Sequence, residues 1–112
     1  MKIYHNPRCS KSRQALAILS DGGAEFETIE YLKTGLTVSE LAALQKASGL
    51  SVREMMRTGE SVYKELALKD EADDAKLLQA MAAHPILLER PFVADARQAM
   101  ICRPPELAER FL

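Results

Sequence analysis

The sequence predicts an α/β fold, in which a small mixed four-stranded sheet has flanking helices and carries an inserted helical subdomain. Two observations lead to this prediction. Residues 1–31 follow a strand, helix and strand pattern, and two short strand patterns after Pro91 lead into a closing helix. Between these two segments, hydrophobic residues recur at helical spacing. We therefore expect one domain over residues 1–112, with a helical insertion at about 37–84.

The N-terminal segment contains the first strand, helix and strand. Met1–Tyr4 is a short strand pattern that His5–Pro7 interrupts. Apolar residues then recur at helical spacing over Lys11–Ser20, and Gly22–Gly23 provides a left-handed cap. Phe26–Tyr31 is the second strand pattern. Two strands joined through a helix favour a parallel, right-handed unit.

The middle of the chain carries repeated helix-start signals. Thr37–Glu40 and Ser51–Glu54 are capping-box patterns, in which a hydroxyl and a carboxylate satisfy backbone N–H groups at the start of a helix. His84–Pro85 ends the last helical pattern. The predicted helices run from Thr37 to Gly49, from Ser51 to Gly59, from Val62 to Leu66 and from Ala75 to Met81.

The pattern changes to strands after Pro91. Phe92–Ala94 and Gln98–Cys102 are strand patterns, and Asp95–Arg97 between them suits a tight turn. Pro104–Pro105 fits the first turn of a helix, and residues 107–112 give that helix an apolar face.

Composition excludes several functional classes. The chain has 112 residues, 47% hydrophobic and 28% charged, with a net charge of -1, so no global basic field indicates a nucleic acid or an anionic membrane as partner. No apolar run has the length of a signal peptide or a membrane span. Two cysteines make a disulfide scaffold implausible. We expect a cytoplasmic monomer.

Cys9 is the candidate nucleophile, since it directly precedes the predicted first helix. Free N–H groups and the helix dipole favour a thiolate or a bound oxyanion there. No acidic residue precedes Asp21, and this segment contains four cations, Lys2, Arg8, Lys11 and Arg13. Such a setting can lower a cysteine pKa to about 3.5–7.5, and Arg13 is a candidate for tuning the thiolate. The alternative is a buried cysteine that acts as a small hydrophobic residue.

Ser12 stands where a C-x-x-C motif would place its second cysteine. The chain therefore lacks a local resolving thiol, and an adduct on Cys9 needs an external thiol or Cys102. Cys102 lies in an apolar strand pattern, where a buried, inert cysteine is expected. His5 either tunes the thiolate or closes the loop as a structural residue.

Two other kinds of site do not fit the spacing. His5, Cys9, His84 and Cys102 lack the paired spacing of a zinc site, so we expect no bound metal. A low-molecular-weight phosphatase loop needs the pattern C-x5-R with intervening glycines, whereas Arg13 lies four positions after Cys9 with no glycine between them. No Gly-rich P-loop or dinucleotide fingerprint is present.

Three separated motifs, HNPRCSKSR, HPILLERPFV and ICRPPE, occur in an order that resembles the glutaredoxin-dependent arsenate reductase family. That family is a branch of the thioredoxin-like superfold, and the resemblance covers almost the whole chain. It implies a thioredoxin-like fold, with Cys9 as nucleophile and a cis peptide bond between Arg90 and Pro91. It also implies an oxyanion site formed by Arg57, Arg90 and Arg103, with further contacts from Asn6 and from the backbone N–H groups of Ser10, Lys11 and Ser12.

The same resemblance implies a mechanism. The Cys9 thiolate attacks arsenate, glutathione attacks the covalent adduct, and glutaredoxin removes the glutathione as a mixed disulfide while arsenite leaves. Glutathione is then a reducing co-substrate, and no metal, flavin or nicotinamide need bind this chain.

Two alternatives stay open. Established reductases of the family tend to have Gly-Thr after the cysteine, whereas this chain has Ser10–Lys11, so a glutathione-linked enzyme with another substrate is one alternative. The other is a regulatory protein like the Spx family, which binds RNA polymerase and senses oxidation. Spx proteins generally carry C-x-x-C, so Ser12 argues against this second alternative.

Overall fold

The sheet is built from four strands of three residues each. They are β1 (Lys2–Tyr4), β2 (Glu27–Ile29), β3 (Phe92–Ala94) and β4 (Ala99–Ile101), in the spatial order β2-β1-β3-β4. β1 is parallel to β2 and antiparallel to β3, which is antiparallel to β4. The computed structural model, which describes all residues Met1–Leu112, thus confirms the predicted small mixed four-stranded sheet.

The contacts divide the chain into two units. The first unit contains 1–34 and 90–112, and the second contains 35–89. The single domain with an insertion at about 37–84 stays a prediction.

The first unit is held by helix α1 (Ser10–Asp21) against the closing segment Pro105–Phe111. α1 buries Ser12, Ala15 and Leu19, spaced to lie along one helix face. These contacts continue into a core of Ile3, Ala15, Leu19, Val93, Cys102, Ala108 and Phe111.

The end of α1 depends on two glycines. Gly23 has φ +75°, the left-handed conformation expected of a helix cap. Gly22 has an ordinary φ, but a Cβ there would lie 2.5 Å from the Leu112 side chain. The glycine pair therefore ends the helix and also admits the C-terminal residue.

One prediction in the first unit was wrong in detail. The predicted strand Phe26–Tyr31 is too long, because Tyr31–Thr34 forms the one-turn helix α2 with Tyr31 fully buried. The N–H groups of residues 33 and 34 donate to the Glu30 carbonyl, which turns the backbone out of the sheet. The closing segment is a 3₁₀ helix, in which the Leu107 N–H donates three residues back to Pro104 over 3.1 Å.

The second unit contains three α-helices, α3 (Val38–Ser48), α4 (Ser61–Glu65) and α5 (Asp74–Ala83). α3 packs on α5, and both bury leucines. Thr37 and Glu40 form the predicted capping box of α3. Short 3₁₀ segments complete the unit at Arg53–Met55, Leu68–Asp70 and Pro85–Leu87.

The sequence predicted a wholly helical middle stretch, and this prediction was wrong. Met56 and Leu88 form an isolated antiparallel bridge, and the Glu89 N–H donates to the Met55 carbonyl over 2.8 Å. Pairing across more than thirty residues leaves no local pattern in the sequence.

No helix in the structure is both long and apolar enough to cross a membrane.

Candidate functional site

Cys9 caps the N-terminus of α1, as the sequence predicts. Its backbone is extended, with φ -93° and ψ 121°, and its carbonyl accepts the Arg13 N–H over 3.0 Å. A tight turn leads into it, because the Cys9 N–H donates to the Asn6 carbonyl over 3.0 Å. The thiol is partly exposed. Cys9 is therefore held at the end of the loop that follows β1, where it is accessible from solvent.

Three buried polar residues, His5, Asn6 and Ser12, fix this loop. The Ser12 hydroxyl oxygen accepts the Asn6 N–H over 3.0 Å and lies 2.7 Å from His5 Nδ1. The Asn6 side-chain oxygen accepts the Arg8 N–H over 3.0 Å. Every one of these contacts joins the loop to itself or to the first turn of α1. Asn6 and the Ser12 hydroxyl thus support the loop, and the oxyanion contacts from Asn6 and the Ser12 N–H stay predictions.

His5 is tuned toward the neutral form. Burial lowers the pKa of His5, the charge of Glu30 opposes that effect, and the charge of Arg13 lowers the pKa further. Its backbone N–H also donates to the Ile29 carbonyl over 2.8 Å. The residue is thus a neutral, buried part of the loop, which fits the structural alternative and leaves its tuning role a prediction.

Two of the three predicted arginines lie at the Cys9 sulfur. Arg103 Nη1 lies 3.8 Å from Cys9 Sγ and donates to the Arg90 carbonyl over 3.1 Å. The Arg90 guanidinium also lies near the sulfur, since its hydrogen bonding and its charge lower the pKa of Cys9. The Arg90–Pro91 peptide bond is cis, and so is Arg103–Pro104, for which no prediction was made. The structure therefore brings two guanidinium groups to the thiol from the strands that follow residue 90.

The environment of Cys9 favours the thiolate. Burial, the largest influence, raises the pKa of the thiol. Hydrogen bonds from the Ser12 N–H, the Arg90 guanidinium and the Lys11 N–H, together with the charge of Arg90, outweigh burial, so the pKa of Cys9 lies below its ordinary value. The N–H groups of Lys11 and Ser12 thus favour negative charge at Cys9, and a helix N-terminus also favours a bound oxyanion.

Cys102 has the opposite environment. It is fully buried in the core of the first unit, and its Sγ lies 3.9 Å from the Met100 carbonyl oxygen. Burial raises the pKa of the Cys102 thiol to about 11. This is the inert cysteine that the sequence predicts.

The remaining N-terminal candidates are exposed. Arg13 Nη1 donates to the Pro7 carbonyl over 2.8 Å, so its guanidinium secures the turn. Ser10 and Lys11 are exposed in the first turn of α1. The tuning role of Arg13 and the contact from Ser10 stay predictions.

Arg57 lies in the second unit and is ion-paired there. Its Nε donates to Glu60 over 3.0 Å and its Nη1 to Glu89 over 2.7 Å. Burial lowers the pKa of Arg57, but the two carboxylates raise it by more, so the net shift is upward. Its backbone N–H donates to the Leu87 carbonyl. The oxyanion role of Arg57 stays a prediction.

The two carboxylates on Arg57 were missed by the sequence analysis. Glu60 follows Arg57 by three residues, and that spacing is a recognisable signal for an ion pair. Glu89 is too distant in sequence to show such a signal. Nowhere do three or more His, Cys, Asp or Glu side chains converge as a group that could hold a metal ion.

Comparisons with known proteins agree on the family. Residues 4–111 match the ArsC family. The chain is 46% identical to an arsenate reductase from Neisseria meningitidis, covering 100% of this chain and 97% of that protein. It is 48% identical to the uncharacterized Escherichia coli protein YfgD, covering 95% and 91% respectively. The solved structure of an arsenate reductase from Vibrio cholerae superposes with a TM-score of 0.94 at 48% identity, covering 100% of this chain and 98% of that chain.

Proposed function

The chain belongs to the ArsC family, and we propose that it is an arsenate reductase, coupled to glutathione and glutaredoxin, that reduces arsenate to arsenite. One observation carries the proposal. A partly exposed cysteine with a lowered pKa lies beside two guanidinium groups, which is the pairing that a thiolate attack on an oxyanion requires.

Arg90 and Arg103 have the chemistry to bind the oxyanion. Arsenate is tetrahedral and negatively charged, and a planar guanidinium offers it paired donors and a permanent positive charge. Neutralising the oxyanion lets an anionic thiolate approach it. The N–H groups at the start of α1, which also lower the pKa of Cys9, add further donors. Arg57 is the third proposed ligand, by the resemblance of its motif.

The first step is a displacement at arsenic. The Cys9 sulfur forms a bond to arsenic(V), and one As–O bond breaks to release water, with protons supplied by solvent. No change in oxidation state occurs at this stage. The product is an arsenylated Cys9.

Reduction follows in the next two steps. The sulfur of glutathione displaces a second oxygen and forms a second As–S bond. A glutaredoxin thiolate then attacks the glutathione sulfur, and the electron pair of the broken As–S bond reduces arsenic(V) to arsenic(III). Water displaces the Cys9 thiolate, arsenite leaves, and the oxidised product is the mixed disulfide of glutathione and glutaredoxin.

A coupled assay tests the proposal. Arsenate-dependent NADPH oxidation is measured with the purified protein, glutathione, glutaredoxin and glutathione reductase. We expect turnover that Cys9→Ser abolishes and that Arg57→Ala, Arg90→Ala and Arg103→Ala each reduce by 10²–10³-fold, the usual effect of removing one donor from an oxyanion site.

A matched control separates the oxyanion site from net charge. Arg97 is exposed in the turn between β3 and β4, and Arg97→Ala removes the same charge without touching the site. It is expected to keep full turnover. Absence of turnover in the wild type, with Cys9 still reactive at pH 6, would refute arsenate as substrate. Stoichiometric capture of RNA polymerase without turnover would instead support the Spx-like alternative.

A further inference from the structure

The cations around Cys9 fall into two groups. Arg103 donates to the sulfur, Arg90 lowers the pKa of Cys9, and Arg13 donates to the Pro7 carbonyl. The side chains of Arg8 and Lys11, in contrast, form no hydrogen bond and no ion pair in the structure. These two are therefore the uncommitted cations of the Cys9 loop.

The two residues flank Cys9 in the sequence. Arg8 directly precedes Cys9, and its backbone is fixed because its N–H donates to the Asn6 side chain. Lys11 lies in the first turn of α1, and its N–H helps to lower the pKa of Cys9. Both side chains are exposed, whereas Cys9 is only partly so.

No acidic side chain offsets this charge within the N-terminal segment. The first carboxylate in the chain is Asp21, at the far end of α1. Glu30 acts on His5 in this loop, but the cations outnumber it, so a ligand that reaches Cys9 from solvent meets net positive charge. In a loop that is otherwise closely hydrogen-bonded, those charges are available to a ligand.

We propose that Arg8 and Lys11 form a subsite for the carboxylates of glutathione. Glutathione carries a carboxylate at each end with the thiol between them, and its reacting sulfur must come close to Cys9. The carboxylates then lie near Cys9, and the two exposed cations belong to the residue before Cys9 and to the first turn of α1 after it. The inner guanidinium groups bind the oxyanion, and the outer cations select the thiol that attacks it. This inference rests on the proposed function, since it names the residues that recognise the reductant.

The subsite can be tested without arsenate, through thiol–disulfide exchange. The Cys9 thiolate attacks one sulfur of oxidised glutathione and the S–S bond breaks. Cys9 becomes glutathionylated, and one glutathione thiolate leaves and takes a proton from solvent. The rate constant for adduct formation is measured by mass spectrometry for oxidised glutathione, for the neutral 2-hydroxyethyl disulfide and for the cationic cystamine. The quantity compared is each charged disulfide's rate constant divided by that of the neutral one, which cancels any change in the thiolate fraction of Cys9.

We expect Arg8→Glu and Lys11→Glu each to lower the ratio for oxidised glutathione by about fivefold and to raise the ratio for cystamine, as reversal of a nearby exposed charge should. Both effects should shrink in 1 M salt, because the Debye length falls to about 3 Å. The matched control is Arg97→Glu. Arg97 follows Ala94, which pairs with Lys2 at the end of β1 away from Cys9, so the same charge reversal there should leave both ratios unchanged.

Two results would overturn the inference. Unchanged rate-constant ratios in Arg8→Glu and Lys11→Glu would show that these cations do not bind glutathione. An equal loss in Arg97→Glu would assign the effect to net charge. Either result stands whether or not the protein reduces arsenate, so failure of the subsite and failure of the proposed reaction are distinguishable.

Discussion

The Ser12 hydroxyl oxygen lies 2.7 Å from His5 Nδ1, and both residues are buried. Ser12 is three residues after Cys9, at the position where a C-x-x-C motif would place its resolving thiol. Here that side chain instead accepts the Asn6 N–H and anchors the loop before Cys9 to the first turn of α1. The serine that stands in place of a local resolving thiol therefore also holds Cys9 in position.

Ser12→Ala should destabilise the fold. It removes the partner of two buried groups, the Asn6 N–H and His5 Nδ1, and each unsatisfied buried group costs about 1–3 kcal/mol. We expect a loss of about 2 kcal/mol or more in the free energy of unfolding, measured by urea denaturation. Ser10→Ala is the control, since Ser10 is exposed in the same turn and its loss should stay within about 0.5 kcal/mol. Equal effects of the two variants would contradict an anchoring role for Ser12.

Arg90 should control the ionisation of Cys9 more than Arg103 does. Arg90 lowers the pKa of Cys9 through both hydrogen bonding and its charge, whereas Arg103, whose Nη1 lies 3.8 Å from the sulfur, is not among the main causes of that lowering. We expect Arg90→Ala to raise the pKa of Cys9, and Arg103→Ala to raise that pKa less. The measurement is thiolate absorbance at 240 nm against pH, with Cys9→Ser subtracted as background. A larger rise in the pKa of Cys9 for Arg103→Ala than for Arg90→Ala would reverse this order.

Cys102 should make stability fall in alkaline solution. Burial raises the pKa of its thiol from 9.0 to about 11, so the folded state favours the neutral form. This contribution to stability is fully present below about pH 9 and is lost as pH rises through about 11. Between pH 8 and pH 10.5 the stability advantage of the wild type over Cys102→Ala should shrink by about 1–2 kcal/mol. Because other groups titrate equally in both proteins, a constant difference would show that the thiol is not held neutral.

Local patterns gave a correct prediction for most of the fold. The strand–helix–strand opening, the capping box at Thr37 and the two strands after Pro91 each have signals that lie within a few residues. The position of Cys9 at a helix N-terminus was predictable for the same reason. The short helix at Tyr31 was not predictable, because a buried tyrosine that follows a strand pattern resembles one more strand residue. The Met56–Leu88 bridge depends on tertiary contacts alone.

In the candidate site, too, some residues were predictable from the sequence and others were not. Sequence alone selects Cys9 but does not single out Arg90 or Arg103, since an isolated arginine is normally a solvated surface charge. The motif resemblance selected them, and the structure places both at the sulfur. Burial of Ser12 was not predictable, because serine is mostly exposed and its partners became visible only in the folded loop.

Glu60 should limit the affinity of the enzyme for arsenate if Arg57 is an oxyanion ligand. Its carboxylate accepts from Arg57 Nε over 3.0 Å and so competes with the substrate for that guanidinium. Glu60→Gln removes a part-exposed ion pair worth up to about 1 kcal/mol, so the KM for arsenate should fall about threefold. The measurement is the coupled assay over a range of arsenate concentrations. Glu65→Gln is the control, because Glu65 is exposed at the end of α4 and forms no ion pair with Arg57. An unchanged KM in Glu60→Gln, with lower stability, would assign Arg57 a structural role within the second unit.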